Sequence, residues 1–211
     1  MLKNIFGLVF FFSMVFAANA QTSTKFNDAL RQEFERGMSG DEQSFESAMK
    51  KSAEILAQNP KDAETLVWHG AATLVLAGQA FQKGDLGRGD EYWKKGMAEM
   101  GEAVSLEPEN FQVLNTRGSV VLQASKRYPV PEESARLRKI AIGDYQKILS
   151  NAQFAQFPES IRGQILIGLA EAFEGNDDKA MAKLFYQRTA DETTKGTVRE
   201  KALKWLEANK N

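Results

Sequence analysis

His69 is the single histidine of the sequence, and it is the first residue to consider as a catalyst or a metal ligand. No serine nucleophile motif accompanies it, and the sequence places no carboxylate beside it to orient the imidazole. The chain contains no cysteine, which excludes a thiol nucleophile, a cysteine metal site and a disulfide scaffold. We therefore expect a packed or hydrogen-bonded histidine, in a protein that is not an enzyme and has no catalytic residue, cofactor or metal.

Two other groups of residues suggest chemistry less strongly. The segment from Gly84 to Asp90 has closely spaced glycines, but a phosphate-binding loop needs a preceding strand and this segment follows a helical pattern. It predicts a turn between two helices. The numerous acidic residues do not have the spacing of a calcium-binding loop, so we interpret them as solvated faces of amphipathic helices.

The charge of the chain is nearly balanced, with 27 basic and 28 acidic residues among 211. Neutralising the phosphates of a nucleic acid needs a basic excess, so we expect no nucleic acid partner.

The first residues have the composition of a secretory signal peptide. Lys3 precedes an apolar stretch from Ile5 to Ala18, and Ala18-Asn19-Ala20 has the small-residue pattern of a cleavage site. We predict a signal peptide over residues 1–20, cleaved after Ala20, with a retained anchor as the alternative. The sequence thus predicts a periplasmic or secreted protein that does not insert into a membrane after cleavage.

After residue 24 nearly every segment has a helical period. Phe26, Leu30 and Phe34 are spaced by four, and alternating strand patterns are absent. The sequence predicts an all-α fold over residues 21–211, organised as one domain. We expect helix pairs at about 24–58, 62–106, 110–150 and 159–191, followed by a capping helix at about 194–209.

A repeated frame organises these helices. Pro60, Pro108 and Pro158 are each followed two residues later by a good N-cap residue, which is Asp62, Asn110 or Ser160. Ten residues after each proline stands a glycine, which is Gly70, Gly118 or Gly168. A glycine inside a helix costs stability, so its recurrence predicts a second helix crossing closely at that point.

This frame resembles the tetratricopeptide repeat family over most of residues 41–191. Gly168, Gly175 and Ala180 match the small residues of the family pattern, as do Gly96 and Ala103. The spacing departs from the pattern, because 48 residues separate Pro60 from Pro108, against the usual 34. The resemblance implies an α-solenoid of antiparallel helix pairs, and the longer spacing predicts lengthened helices. With the predicted signal peptide, we expect an exported bacterial protein similar to this family.

The resemblance also implies a binding surface on the concave face of the stacked pairs. Carried over position by position, this face includes Glu64, Val67, Ala71, Gln112, Asn115, Ser119, Gln123 and Arg162. The mixture is apolar and rich in amides, and it lacks the family's lysine, arginine and asparagine arrangement for a terminal carboxylate. A neutral, partly apolar peptide or helix would fit it. A packed bundle, in which the long helices close the groove, is the alternative.

The sequence therefore predicts a non-catalytic adaptor or scaffold of the cell envelope that binds another protein or peptide, an envelope component. The sequence leaves a second class of function open, which is a periplasmic small-molecule carrier or sensor subunit. Its pocket would lie between the lengthened helices, near Val67, Ala71 and Trp93.

Overall fold

The computed structural model describes residues 25–210, and the predicted signal peptide lies outside these residues. The described part is helical throughout, with nine α-helices and one short 3-10 helix at Phe154–Gln156. In chain order the helices are α1 Asp28–Met38, α2 Glu42–Gln58, α3 Ala63–Gln82, α4 Leu86–Leu106, α5 Phe111–Ser125, α6 Pro131–Ser150, α7 Glu159–Gly175, α8 Lys179–Glu192 and α9 Thr197–Ala208. Their ends lie within about four residues of the expected ones, the usual uncertainty of a boundary.

The residues that follow Pro60 and Pro108 start helices as predicted. The Asp62 carboxylate accepts a hydrogen bond from the backbone N–H of Thr65, and the Asn110 side chain does the same for Val113. The third N-cap prediction, at Ser160, is wrong. Helix α7 begins at Glu159, one residue before Ser160, with Pro158 as its N-cap and without a side-chain cap. The carbonyl oxygen of Pro158 accepts a hydrogen bond from the Arg162 N–H at 3.1 Å, which opens the helix in front of Ser160.

The helices pack as a linear series of pairs. Within each pair the two helices are in extensive contact, α1 with α2, α3 with α4, α5 with α6, and α7 with α8. The first helices of successive pairs also touch, α1 on α3, α3 on α5, α5 on α7 and α7 on α9. Short connections between packed neighbours give antiparallel pairs. The predicted fold class, an all-α helical-repeat array, is therefore confirmed.

Glycines allow the closest crossing within a pair. A Cβ atom at Gly70 would lie 2.8 Å from the carbonyl oxygen of Gly96, and one at Gly96 would lie 2.6 Å from the carbonyl oxygen of Gly70. Helices α3 and α4 thus approach with backbone against backbone. The prediction of close crossings is confirmed at Gly70, and also at Gly118, where a Cβ would meet the Tyr145 ring at 3.2 Å.

The last helix, α9, closes the end of the array. Its Trp205 ring stacks on Tyr186 of α8 at 4.3 Å, and the indole N–H donates a hydrogen bond to Glu174 of α7 at 2.6 Å. The buried apolar residues form a continuous cluster from Leu30 in α1 to Ala202 in α9. Within residues 25–210, no helix is both long enough and apolar enough to cross a membrane.

Candidate partner-binding surface

The predicted surface residues of α3 are not on a groove. Val67 and Ala71 have no exposed surface at all. Helix α3 is the most enclosed helix of the array, because α1, α2, α4 and α5 all pack against it. The prediction that Val67 and Ala71 are available to a partner is therefore wrong for this structure.

Glu64, also predicted for this surface, lies at the start of α3 and is half-buried. Its carboxylate stands 3.9 Å from the Arg31 guanidinium of α1 and accepts a long hydrogen bond from the Asn110 side chain at 3.5 Å. Glu64 thus connects the N-terminal ends of α1, α3 and α5, each of which is the first helix of its pair.

The four predicted residues of α5 do share one accessible face. Gln112, Asn115, Ser119 and Gln123 are spaced by three, four and four, which places them on one side of a helix. Ser119 and Gln123 are exposed, and Gln112 and Asn115 are half-buried. We call these four residues the amide surface. The helices on both sides of it, α3 and α7, hold α5 in place.

The side chains of Gln112, Asn115 and Gln123 make no hydrogen bond to any residue of the described part. Each amide therefore offers two N–H donors and one carbonyl acceptor to a partner. Ser119 differs, because it follows Gly118, against which the Tyr145 ring of α6 packs, and its hydroxyl lowers the pKa of Tyr145 against the effect of burial. Burial raises the pKa of Tyr145 above its ordinary value, so this phenol stays neutral.

A buried ion pair supports α5 from behind. Arg117 donates two hydrogen bonds to the Asp144 carboxylate of α6, at 2.8 and 2.5 Å. Burial raises the pKa of Asp144, and the bound guanidinium opposes that rise without cancelling it. These two parallel hydrogen bonds fix the rotation of α5 about its axis, and so the direction in which its side-chain amides point.

Arg162, the predicted residue of α7, makes structural contacts instead. Its guanidinium donates to the backbone carbonyl oxygens of Phe157 at 2.7 Å and of Ala155 at 3.3 Å, and it lies 4.0 Å from Glu192. These contacts tie α7 to the connection that precedes it. Arg162 does not continue the amide surface.

The glycines of α7 lie against its neighbours. A Cβ at Gly168 would lie 2.6 Å from the Tyr145 ring of α6, so the prediction of a close crossing is confirmed at Gly168. A Cβ at Gly163 would lie 2.7 Å from a methyl carbon of Thr193, at the end of α8. Ala180, which matches a small residue of the family pattern, is exposed.

The residue of α7 that does meet α5 is Glu171. Its carboxylate accepts a hydrogen bond from Lys126, at the end of α5, at 2.5 Å and a second one from Lys201 of α9. Burial raises the pKa of Glu171, but the two ammonium groups outweigh it and leave the pKa below its ordinary value. Sequence reasoning missed Glu171, although its seven-residue spacing from Gln164 marks a polar stripe on a largely apolar helix.

His69 is packed and hydrogen-bonded, as expected. Its Nδ1 lies 2.8 Å from a carboxylate oxygen of Glu99 on α4, a partner the sequence did not reveal. Lys95 lies 3.8 Å from the other oxygen of the same carboxylate. Among the described residues no group of three or more histidine, aspartate or glutamate side chains could hold a metal ion.

Of the three residues suggested for a carrier pocket, Val67 and Ala71 are fully buried and Trp93 is partly buried. Val67 and Ala71 are core residues, and the Trp93 ring packs on Tyr128 at 4.8 Å. Two surface clefts lie elsewhere, one at the start of α3 and one between the start of α7 and the α8–α9 connection.

No family model matches the chain, and no curated protein does. A solved structure, the N-terminal domain of stress-induced protein-1 from C. elegans, is 15% identical, with a TM-score of 0.37, over 66% of this chain and 95% of that one. That likeness is too distant to bear on fold or function. The packing order of α1 to α9 by itself defines the class, which is an all-α array of helix pairs.

Proposed function

We propose that this protein is a non-catalytic adaptor that binds an extended, uncharged segment of another protein on the amide surface of α5. The observation that carries the proposal is the row of side-chain amides without partners, held on one rigid helix. Asn115 and Gln123 are two turns apart, about 12 Å along the helix. An extended peptide spans that distance in roughly four residues, so both amides can reach its backbone groups.

The charges around the amide surface favour a neutral segment. Lys126, Glu171 and Lys201 are tied to one another, and Gln112, Asn115, Ser119 and Gln123 carry no charge. A bound segment with a strong charge of its own would find no unpaired opposite charge among these residues. Backbone amides and small polar side chains match what this surface offers.

We also propose that the adaptor works in the cell envelope after export. The signal-peptide pattern of residues 1–20 supports export, and a fold without cysteine suits an oxidising compartment. Expression of the full chain in a bacterium, followed by N-terminal sequencing of the periplasmic fraction, tests this. The expected first residue is Gln21, and a product that keeps Met1 in the cytoplasm would contradict it.

Affinity capture from envelope extract tests the binding surface. We expect the wild-type chain to retain a specific partner, and the double variant Asn115→Ala, Gln123→Ala to lose at least nine tenths of it. Gln43→Ala removes an exposed amide from α2, away from the amide surface, and is the matched control. Equal capture by all three chains would exclude the amide surface as the binding site.

A further inference from the structure

Three buried polar side-chain atoms in residues 25–210 have no hydrogen-bond partner, and they lie at one junction. They are Nε of Arg31 on α1, and Oγ1 of Thr65 and Nε1 of Trp68 on the first two turns of α3. Thr65 is fully buried and Trp68 is 8% exposed. Nε of Arg31 and Nε1 of Trp68 can only donate, so the partner that each lacks is an acceptor, whereas the Thr65 hydroxyl can donate or accept. Unpaired buried groups are rare enough in native proteins to need an explanation.

Helix α1 covers this junction with apolar groups. The rings of Phe26 and Phe34 stack on the Trp68 indole at 6.1 and 5.8 Å. Leu30 lies one turn from each of these phenylalanines on the same stripe and is 4% exposed. Side chains at this spacing fill a groove on α3 in the way an amphipathic helix does, but none of them supplies an acceptor.

The cover belongs to the hairpin of α1 and α2, the first helix pair of residues 25–210. Glu33 of α1 accepts hydrogen bonds from Lys51 at 2.6 Å and from Ser47 at 3.0 Å, both on α2. With 11 residues, α1 is shorter than a helix that is stable alone in water. Its place on α3 therefore depends on packing, at a junction weakened by the unpaired donors.

We propose that this groove of α3 is a second binding site, for an amphipathic helix of a partner protein, and that α1 covers it in the free chain. The partner helix carries an amide or hydroxyl acceptor in the middle of its apolar stripe, opposite Trp68. The cleft beside Phe26 is lined by the carboxylates of Asp62, Glu64 and Glu107 and by Lys25, which belongs to the covering segment and would leave the cleft with α1. Charge complementarity places a basic residue at that end of the partner helix.

Peptides that copy residues 25–40 provide a probe, because this sequence already fits the groove. One labelled peptide has the native sequence, and the other carries Leu30→Gln, which brings an amide oxygen towards Trp68. Fluorescence anisotropy with the full chain measures both affinities. We expect the Leu30→Gln peptide to bind about tenfold more tightly, because it satisfies a buried donor.

Two variants of the chain identify the groups responsible. Trp68→Phe keeps an aromatic ring and removes the N–H, so it should abolish the difference between the peptides. Trp205→Phe makes the same change on α9 and should leave the difference intact. Asn27→Ala removes the N-cap of α1, whose side chain accepts from the Leu30 backbone at 3.0 Å, and should raise the affinity for both peptides about fivefold.

Each contrary result overturns the inference. Equal binding of the two peptides shows that the unpaired donors do not select an acceptor. A difference that persists in Trp68→Phe places its cause elsewhere. No binding to the wild-type chain or to Asn27→Ala, with an unchanged helical circular dichroism signal, shows that α1 is a fixed part of the fold.

Discussion

Replacing Gly96 by alanine tests whether backbone contact between α3 and α4 sets the geometry of the array. A Cβ atom there would lie 2.6 Å from the carbonyl oxygen of Gly70, and 3.0 Å from a methyl carbon of Leu74. Ordinary C···O contacts begin at about 3.3 Å. The two helices must therefore separate by roughly 0.7 Å, and a backbone carbonyl cannot turn aside as a flexible side chain can.

Gly101 provides the control, because it lies on the same helix and a Cβ atom there would meet nothing within 4 Å. Alanine is favoured over glycine inside a helix by about 1 kcal/mol. Gly101→Ala should therefore raise the free energy of unfolding by about that amount. Gly96→Ala gains the same helix propensity, but overpacking between α3 and α4 typically lowers the free energy of unfolding by about 1–3 kcal/mol. We expect it to be less stable than Gly101→Ala by about 1–3 kcal/mol.

Urea unfolding followed by tryptophan fluorescence and circular dichroism measures both variants under the same conditions. The slope of the transition should stay constant, so that midpoints report stability. If Gly96→Ala stabilises the chain as much as Gly101→Ala does, the helices do not touch at Gly70 and Gly96, and the argument is refuted.

Three further predictions concern polar groups, and urea unfolding measures each of them. Arg117→Ala should lower the free energy of unfolding by about 3 to 5 kcal/mol because it leaves the Asp144 carboxylate buried and unpaired; Arg127→Ala, at an exposed site, should change little. The stability difference between wild type and Glu171→Gln should be full at pH 7 and disappear at low pH. The pKa of Glu171 is lower in the folded chain than its unfolded value of about 4.3, so its stabilisation is lost as the pH falls through the folded pKa. Thr65→Val should raise the free energy of unfolding by about 1 kcal/mol, because it removes an unpaired buried hydroxyl at constant shape; a loss of similar size would mean that this hydroxyl is hydrogen-bonded.

Local chemistry in the sequence was enough to predict the helices. The N-caps at Asp62 and Asn110, and the close approach at Gly70, follow from side-chain hydrogen bonding and from the size of one residue. These effects act within a turn or two of the chain, so they can be read without knowing the fold. The four residues of the amide surface came instead from the resemblance to the tetratricopeptide repeat family, and the structure leaves them exposed or half-buried on one face of α5.

The rotation of each helix about its own axis was decided only by the tertiary structure. The connection between α6 and α7 contains a 3-10 helix, and Arg162 is hydrogen-bonded to its end. Glu171, nine residues further along α7, pairs with Lys126 at the end of α5. Nine residues at about 100° per residue put Arg162 and Glu171 on opposite faces of the helix, so only the packing of α7 decides which of them meets α5.

How deeply α3 is buried was also decided only by the tertiary structure. Val67 and Ala71 occupy positions that lie open in the resembled family, but here α3 is surrounded by four helices and both residues are in the core. Likewise, neither Glu99 beside His69 nor the unpaired donors beneath α1 could be predicted, because each contact joins residues distant in the chain. The sequence by itself determined which segments are helices and, at Asp62 and Asn110, where they start; packing between distant segments decided which helix faces remain exposed.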